Sequence, residues 1–474
     1  MTLKIKKKEV LLGVAPIGKF VFSHEDAVKQ KNKIFKKLDD WKVKYTTIEE
    51  VLPDGMVRDQ KHVDMVVEDL KVKKVDALFI PHCNFGTEGA AAMIAKKVGV
   101  PTLLWAPRDE APLPDGSRLR DSLCGTFATS KVLHKLKIPF TYIENSRIDE
   151  DIFKNGLLDF VRSATVVKAL KTMKLAQIGV RIDFFWTTII NESELLDKFG
   201  IEVLPVDMYD FIVKIKSRAK KNRKTFQKEL SGIKKWLKVE GLSSDEPLIN
   251  ALALRDEMIE LANTEDLDAI SIKSFTSLQD ALKGGCGLAY SQISDDFPII
   301  GESDIHGAVS SVMLEAASHN NLPSFFPDIT IRHPQNDNAV LLWHASAPLT
   351  LKHPDSKVKM APPWILKGLP AESLHFRLMD GPLTLARFDG DDGKYRLGCG
   401  EGSTVPGPHT NEFYAWMEVD DWPHWEKTIM QGPYIHHSSV VYDHCGDVLE
   451  EACRYIPGLD IERFDKKCDH KENL

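Results

Sequence analysis

The chain predicts an α/β protein: two Rossmann-like or flavodoxin-like α/β domains followed by a C-terminal, mainly antiparallel β domain. Three observations carry that prediction. Strand-type and helix-type segments alternate through the first 150 residues, the pattern restarts near Lys171, and after Pro327 short β-type runs are separated by Pro, Asn, Asp and Gly. A chain of 474 residues is too long for one core. We expect domains at residues 1–168, 169–326 and 327–474.

In the first domain, EVLLGVAPI is an apolar run that reads as the opening strand. An amphipathic helix from Glu25 to Trp41, the strand VKYTTIE and a helix from Arg58 to Lys71 follow. VDALFIPHC, the helix TEGAAAMIAKKVG, VPTLLWAP, the helix DSLCGTFATSKVLHKL and the strand IPFTYIE complete it. No G-x-G-x-x-G follows the first strand, which argues against a dinucleotide cofactor. The second domain opens with the strand MKLAQIGVR, the helix NESELLDKFG closed by Gly200, and the strand IEVLPVDM. From Lys214 to Glu240 the chain is basic, and Phe226, Leu230, Ile233 and Leu237 recur at helical spacing. That predicts one helix with a buried stripe and a solvated basic face. A helix from Glu246 to Asn263 and the strand DLDAISIKSF lead to FPIIGESDIHGAV. There Phe297 to Ile300 reads as a buried strand that ends at Gly301, and Asp304 as the cap of a helix running to about Ser318. The third domain strings together AVLLWHAS, ESLHFRLM, GPLTLARFD and KYRLGCGEG, and ends in a helix from Gly446 to Tyr455.

Composition narrows the class. At 43% hydrophobic and 28% charged the chain is ordinary globular material, and a formal net charge of −7 gives no general attraction to nucleic acid or an anionic membrane. Neither is expected as a partner. No window of about 18 uncharged apolar residues exists, and Glu9, Pro16 and Lys19 interrupt the apolar run near the N-terminus. Seven scattered Cys with no C-x-x-C pair fit reduced thiols, so we expect a cytoplasmic protein.

Four strand-end sites then read together. Glu302 follows FPIIG, Asp328 follows LPSFFP, His344 ends AVLLW, and His436 and His437 follow GPYI. Ligands of α/β proteins gather at the carboxyl ends of strands. Each residue also has an ordinary reading: His344 as a hydrogen-bonded core histidine, Asp328 as a turn aspartate, and His306 as a structural residue in a first helical turn. Neighbours on an extended chain diverge, so only one of His436 and His437 should reach a given metal. If the set converges, two carboxylates and imidazoles make an oxygen and nitrogen site suited to Mn²⁺, Co²⁺ or Mg²⁺. The loop WAPRDEAPLPDGSRLRD offers Trp105, Arg108, Arg118 and Arg120, either to a sugar or to ordinary salt bridges. PHCNFGTEG brings Asn84, Thr87 and Glu88 to a helix start.

The runs CGLAYSQISDDFPIIGESDIHGAV, FFPDI, NDNAVLLWHAS, GPLTLARF and GPYIHHSSVVYDHCGDVLEEACRYIPGLDI together resemble the L-fucose isomerase and L-arabinose isomerase family over essentially the whole chain. The resemblance implies a metal-dependent aldose–ketose isomerase acting through a cis-enediolate on a small-molecule sugar. It implies Mn²⁺, possibly Co²⁺ or Mg²⁺, held by Glu302, Asp328, His437 and, as in the arabinose branch, His344. Glu302 would be the principal base with Asp328 as its partner. His436, Asn84, Trp105 and Arg120 would face substrate, with the first domain completing a neighbour's pocket in a homo-oligomer, a trimer or hexamer. ESD stands where EGD is frequent, and WHAS where WHCG is, which bears on sugar choice. L-fucose, D-arabinose, L-arabinose and an anionic sugar such as a sulfonated hexose all stay open, the last motivated by the arginines near residue 118 and by Arg332. A non-catalytic sugar-binding protein is the rival of another class.

Overall fold

The structure, a computed structural model, describes residues 2–4, 8–52, 54–284, 286–365 and 373–466. It is mixed α/β, with two parallel sheets and one mixed sheet, and it divides into two compact units. One holds Lys7–Lys168 with Glu450–Pro457; the other holds Met1–Lys6, Ala169–Leu449 and Gly458–Leu474.

In the first unit β1 (Leu12–Val14), β2 (Tyr45–Thr47), β3 (Ala77–Pro81), β4 (Thr102–Trp105) and β5 (Thr141–Tyr142) form a parallel sheet in the order β2-β1-β3-β4-β5. That is the flavodoxin-like order. β3 and β4 are buried throughout because helices cover both faces, which is why ALFIP and TLLW are continuous apolar runs. Leu70, Leu78, Ile80, Ile94 and Leu104 meet in its core, each contributing about 1.5–3 kcal/mol by burial. The helix expected from Arg58 begins only at Val63; Gln60–His62 form a 3₁₀ turn, with Asp59 capping Lys61 N–H.

The second unit holds β6 (Lys174–Ile178), β7 (Glu202–Val206), β9 (Ala269–Ile272) and β10 (Ile299–Ile300) in a parallel sheet ordered β10-β9-β6-β7. The basic tract departs from the expected single helix. It forms Met208–Lys221 and Arg223–Ile233, broken at Asn222, and then β8 (Lys238–Val239). β8 leaves the helical path because its backbone pairs in parallel with Lys359 and Met360.

Among the described residues the mixed sheet has ten strands. β11 (Asp328–Arg332), β12 (Ala339–His344), β13 (Lys359–Ala361), β14 (Ser373–Arg377), β15 (Pro382–Asp391), β16 (Lys394–Val405), β17 (Phe413–Glu418), β18 (Ser439–Val441) and β19 (Leu459–Arg463) join β8. Most pairings are antiparallel, but β13 with β8, β14 with β17 and β16 with β19 are parallel. The helix Trp422–Gln431 and strand β19, absent from the sequence reading, complete this part. The helix Ile305–Ala317 packs against β9 and β10 on one side and β15 and β18 on the other, so it is buried all round. Small residues permit this: a Cβ on Gly307 would come within 2.5 Å of the Phe326 ring. Among the described residues no helix is long and apolar enough to cross a membrane.

Candidate active site and metal centre

Glu302 lies just past β10, where the chain turns sharply. Glu302 and Ser303 both adopt left-handed backbone, with φ 63° and 59°, at a cost of about 1–2 kcal/mol each. The turn is held by Glu302 N–H donating to Ser274 Oγ (3.1 Å) and Ser303 N–H donating to the Ile272 carbonyl (3.2 Å). Backbone strain at a buried carboxylate is a mark of a functional position. The serine of ESD therefore occupies a conformation that glycine adopts freely.

Asp328 and His437 face each other across an isolated antiparallel bridge. Ile329 N–H donates to the His436 carbonyl (2.8 Å) and Ser438 N–H to the Pro327 carbonyl (3.0 Å), which fixes that register. His437 Nε2 lies 3.1 Å from Glu302 Oε2 and 3.5 Å from Asp328 Oδ1, and His344 Nε2 lies 3.7 Å from Glu302 Oε1. The four strand-end sites thus converge. Two donor sets have their ligating atoms within 4.8 Å of one another: Glu302, His344 and His437, and Asp328, His436 and His437. Both adjacent histidines are within reach, contrary to the divergence expected of an extended strand. His436 and His437 precede β18, where the chain is irregular, and their ring centroids are only 4.1 Å apart.

The donor set fits a cation. Nε2 of His344 and Oδ1 of Asp328 are buried and make no hydrogen bond, an arrangement that costs free energy unless something bridges them. Burial alone would raise the Glu302 carboxyl. The hydrogen bond from His437 and the charges of His344 and His436 hold it below the usual value instead. Burial would likewise lower the His437 imidazole, but hydrogen bonds to Asp304 and Glu302 raise it to about 9. The rings of Phe326 (5.1 Å from His437) and Phe185 (6.2 Å) wall the cluster.

Asp304 exceeds its expected role. It does cap the helix, accepting Gly307 N–H at 2.8 Å, but it also contacts His437 and Arg387. Arg387 and Asp389 went unnoticed in the sequence. Their signal was Arg-x-Asp on one face of a buried strand, GPLTLARFD, where charges need partners. His306 is buried against Asp389, 3.1 Å from Nδ1 to Oδ1.

The other residues singled out in the first unit are held by partners within that unit. Trp105 is fully buried, stacks on Phe153 at 3.8 Å and donates to Ser146 Oγ (3.2 Å). Arg120 is buried among Asp26, Asp109 and Glu110. Asn84 Oδ1 accepts the N–H groups of Lys19 (2.8 Å) and Gly86 (3.1 Å), Thr87 donates to the Gly18 carbonyl (2.9 Å), and Glu88 pairs with Lys19 (3.3 Å). Arg108 is exposed. Arg118 pairs with Asp121 (2.5 Å), and in the second unit Arg332 lies 3.6 Å from Asp337.

Comparison with known proteins bears directly on this site. Residues 13–171 match the family model for the fucose/sulfoquinovose isomerase N-terminal domain, and residues 367–462 match that for the L-fucose isomerase C-terminal domain. Sulfoquinovose isomerases of Priestia aryabhattai and Priestia megaterium are each 25% identical over 466 residues, covering 94% of this chain and 97% of theirs. That of Alkalicoccus urumqiensis is 24% identical over 297 residues, covering 62% and 65%. With one family matched at both ends and relatives aligned along nearly the full length, the chain belongs to the fucose isomerase family of aldose–ketose isomerases.

Proposed function

We propose that Glu302, Asp328 and His437, with His344 beside them, hold a divalent cation, Mn²⁺ before Co²⁺ or Mg²⁺, and that the enzyme isomerises a sulfonated aldose of the sulfoquinovose kind. The buried, unpartnered His344 Nε2 and Asp328 Oδ1, with Glu302 and His437 converging beside them, carry the first part. Charge supports it, since the four carboxylates of Glu302, Asp328, Asp304 and Asp389 outnumber the local cations, the Arg387 guanidinium and the His437 imidazole. The names of the relatives carry the second. When bound, such an ion supplies Lewis-acid polarisation of a carbonyl and stabilises the enediolate charge.

Glu302, kept ionised, is the base that takes the proton from the carbon next to the carbonyl, and Asp328 across the cluster is its partner in returning one. His436, more exposed than its neighbour, contacts the sugar. Asn84, Trp105 and Arg120 serve the pocket from their own unit, by fixing the strand-end loops that a neighbouring copy presents in a cytoplasmic homo-oligomer, a trimer or hexamer. We also keep the three-domain division at residues 168 and 326 as part of this reading. A coupled assay of Mn²⁺-reconstituted protein against sulfoquinovose, L-fucose, D-arabinose and L-arabinose tests the substrate. Sulfoquinovose is expected to give the highest kcat/KM; a higher value for a neutral aldose would overturn the anionic choice and leave the isomerase in place.

A further inference from the structure

A buried chain of charged side chains runs behind His437, inside the second unit. Asp304 Oδ2 lies 2.9 Å from His437 Nδ1 and 2.5 Å from Arg387 Nη1. Arg387 Nε donates to Asp389 Oδ2 (2.8 Å), and Asp389 Oδ1 lies 3.1 Å from His306 Nδ1. Asp304 is 0% exposed and Arg387 1%. Capping does not account for this. The cap uses only Oδ1 of Asp304, through Gly307 N–H, and needs no arginine. Removing a guanidinium and two carboxylates from water costs more than a helix cap returns.

The second oxygen of Asp304 explains the investment. A carboxylate oxygen accepts and cannot donate, so an imidazole nitrogen at 2.9 Å must carry the hydrogen. With Nδ1 protonated toward Asp304, the lone pair of a neutral His437 sits on Nε2, the atom that faces Glu302 and Asp328. Arg387 holds the carboxylate in place from its other side, and Asp389 holds Arg387. We infer that Asp304, locked by Arg387 and Asp389, is the positioning residue of His437: it fixes which ring nitrogen carries the proton and presents Nε2 to the cation. This deepens the metal-centre reading above and rests on it.

The test separates the two. In native protein loaded with diamagnetic Cd²⁺, ¹⁵N-edited spectra of His437 are expected to show a hydrogen-bonded proton on Nδ1 and none on Nε2; a proton on Nε2 overturns the inference without any variant. Asp304→Asn keeps the volume and a good cap, but its amide can donate to Nδ1 and turn Nε2 into the protonated nitrogen. Its affinity for Mn²⁺, read from the EPR signal of the free ion, is expected to fall about 10–100-fold, and the Nδ1 proton signal to vanish. His437→Ala is the control. If it weakens Mn²⁺ binding while folded Asp304→Asn binds as the native protein does, Asp304 is only a cap. If His437→Ala binds Mn²⁺ normally, the metal centre itself is misplaced, and the inference falls with it.

Discussion

Arg120 and Arg387 are both buried arginines among carboxylates, one in each unit, and their clusters end differently. Around Arg120 the carboxylates close on the backbone and on hydroxyls: Asp109 accepts Ser122 N–H (2.8 Å) and Ser122 Oγ–H (2.8 Å). Around Arg387 each carboxylate continues to an imidazole, His437 on one side and His306 on the other, and the far nitrogen of His306 is buried without a hydrogen bond while that of His437 faces the metal-site carboxylates. A closed network satisfies itself and contributes to structure. An open one transmits its geometry to the far atom of the ring, which in His437 faces two carboxylates.

The largest effect should come from the open end. Chelator-treated protein is expected to lose isomerase turnover completely and to regain it with Mn²⁺, while its far-ultraviolet circular dichroism stays native. Full turnover in verified metal-free protein would remove the reason for the unpartnered donors. Glu302→Gln, nearly isosteric, is expected to lower kcat by about 10²–10⁴-fold, and a near-native rate in a coupled assay would place the base elsewhere.

The closed cluster should answer in stability alone. Arg120→Met leaves Asp26 and Asp109 without their buried partner and is expected to destabilise the first unit by about 3–5 kcal/mol in urea titration. Affinity for Mn²⁺, measured on the folded variant, should be unchanged. A large loss of affinity would show that the Arg120 cluster is not closed after all.

The smallest effect concerns a buried carboxylate with no guanidinium. Glu412 is 1% exposed, with the His375 ring 3.9 Å away. Burial pushes its carboxyl up to about 7 against the pull of Trp364 N–H and Lys359, whereas Arg387 and His437 hold Asp304 well below the usual range despite burial. A folded state that binds a proton more tightly than the unfolded chain loses stability as pH rises from the unfolded value, 4.5, to about 7. Glu412→Gln removes that loss. Its stability relative to the native protein should therefore climb between pH 4.5 and 7 and level off above, as urea midpoints across that range will show. A flat difference would mean that burial does not raise this carboxyl.

Much of this was legible in the residue pattern. Local periodicity and apolar runs located the strands of both parallel sheets to within a few residues, because a buried parallel strand needs an unbroken apolar stretch. Turn and cap residues set the start of Ile305–Ala317 through Asp304. Strand-end position singled out Glu302, Asp328, His344 and the pair His436 and His437, since a polar residue just past a buried strand lies where ligands gather, while the choice of His437 within the pair came from the family resemblance.

Other features depend on contacts between distant segments. The pairing of β8 with β13 arises from a backbone ladder to residues more than a hundred positions away. Convergence of the four site residues needed the bridge between Asp328 and His437 and the left-handed turn at Glu302, neither of which has a local signature. Asp304 shows the division within one side chain. Its Oδ1 obeys a local rule, the cap, that any sequence reader can apply. Its Oδ2 serves His437 and Arg387, respectively 133 and 83 residues away. Chain periodicity encodes only what neighbours on one helix or strand do to each other, so the partners of a buried charge are decided when the sheets and the helix between them pack.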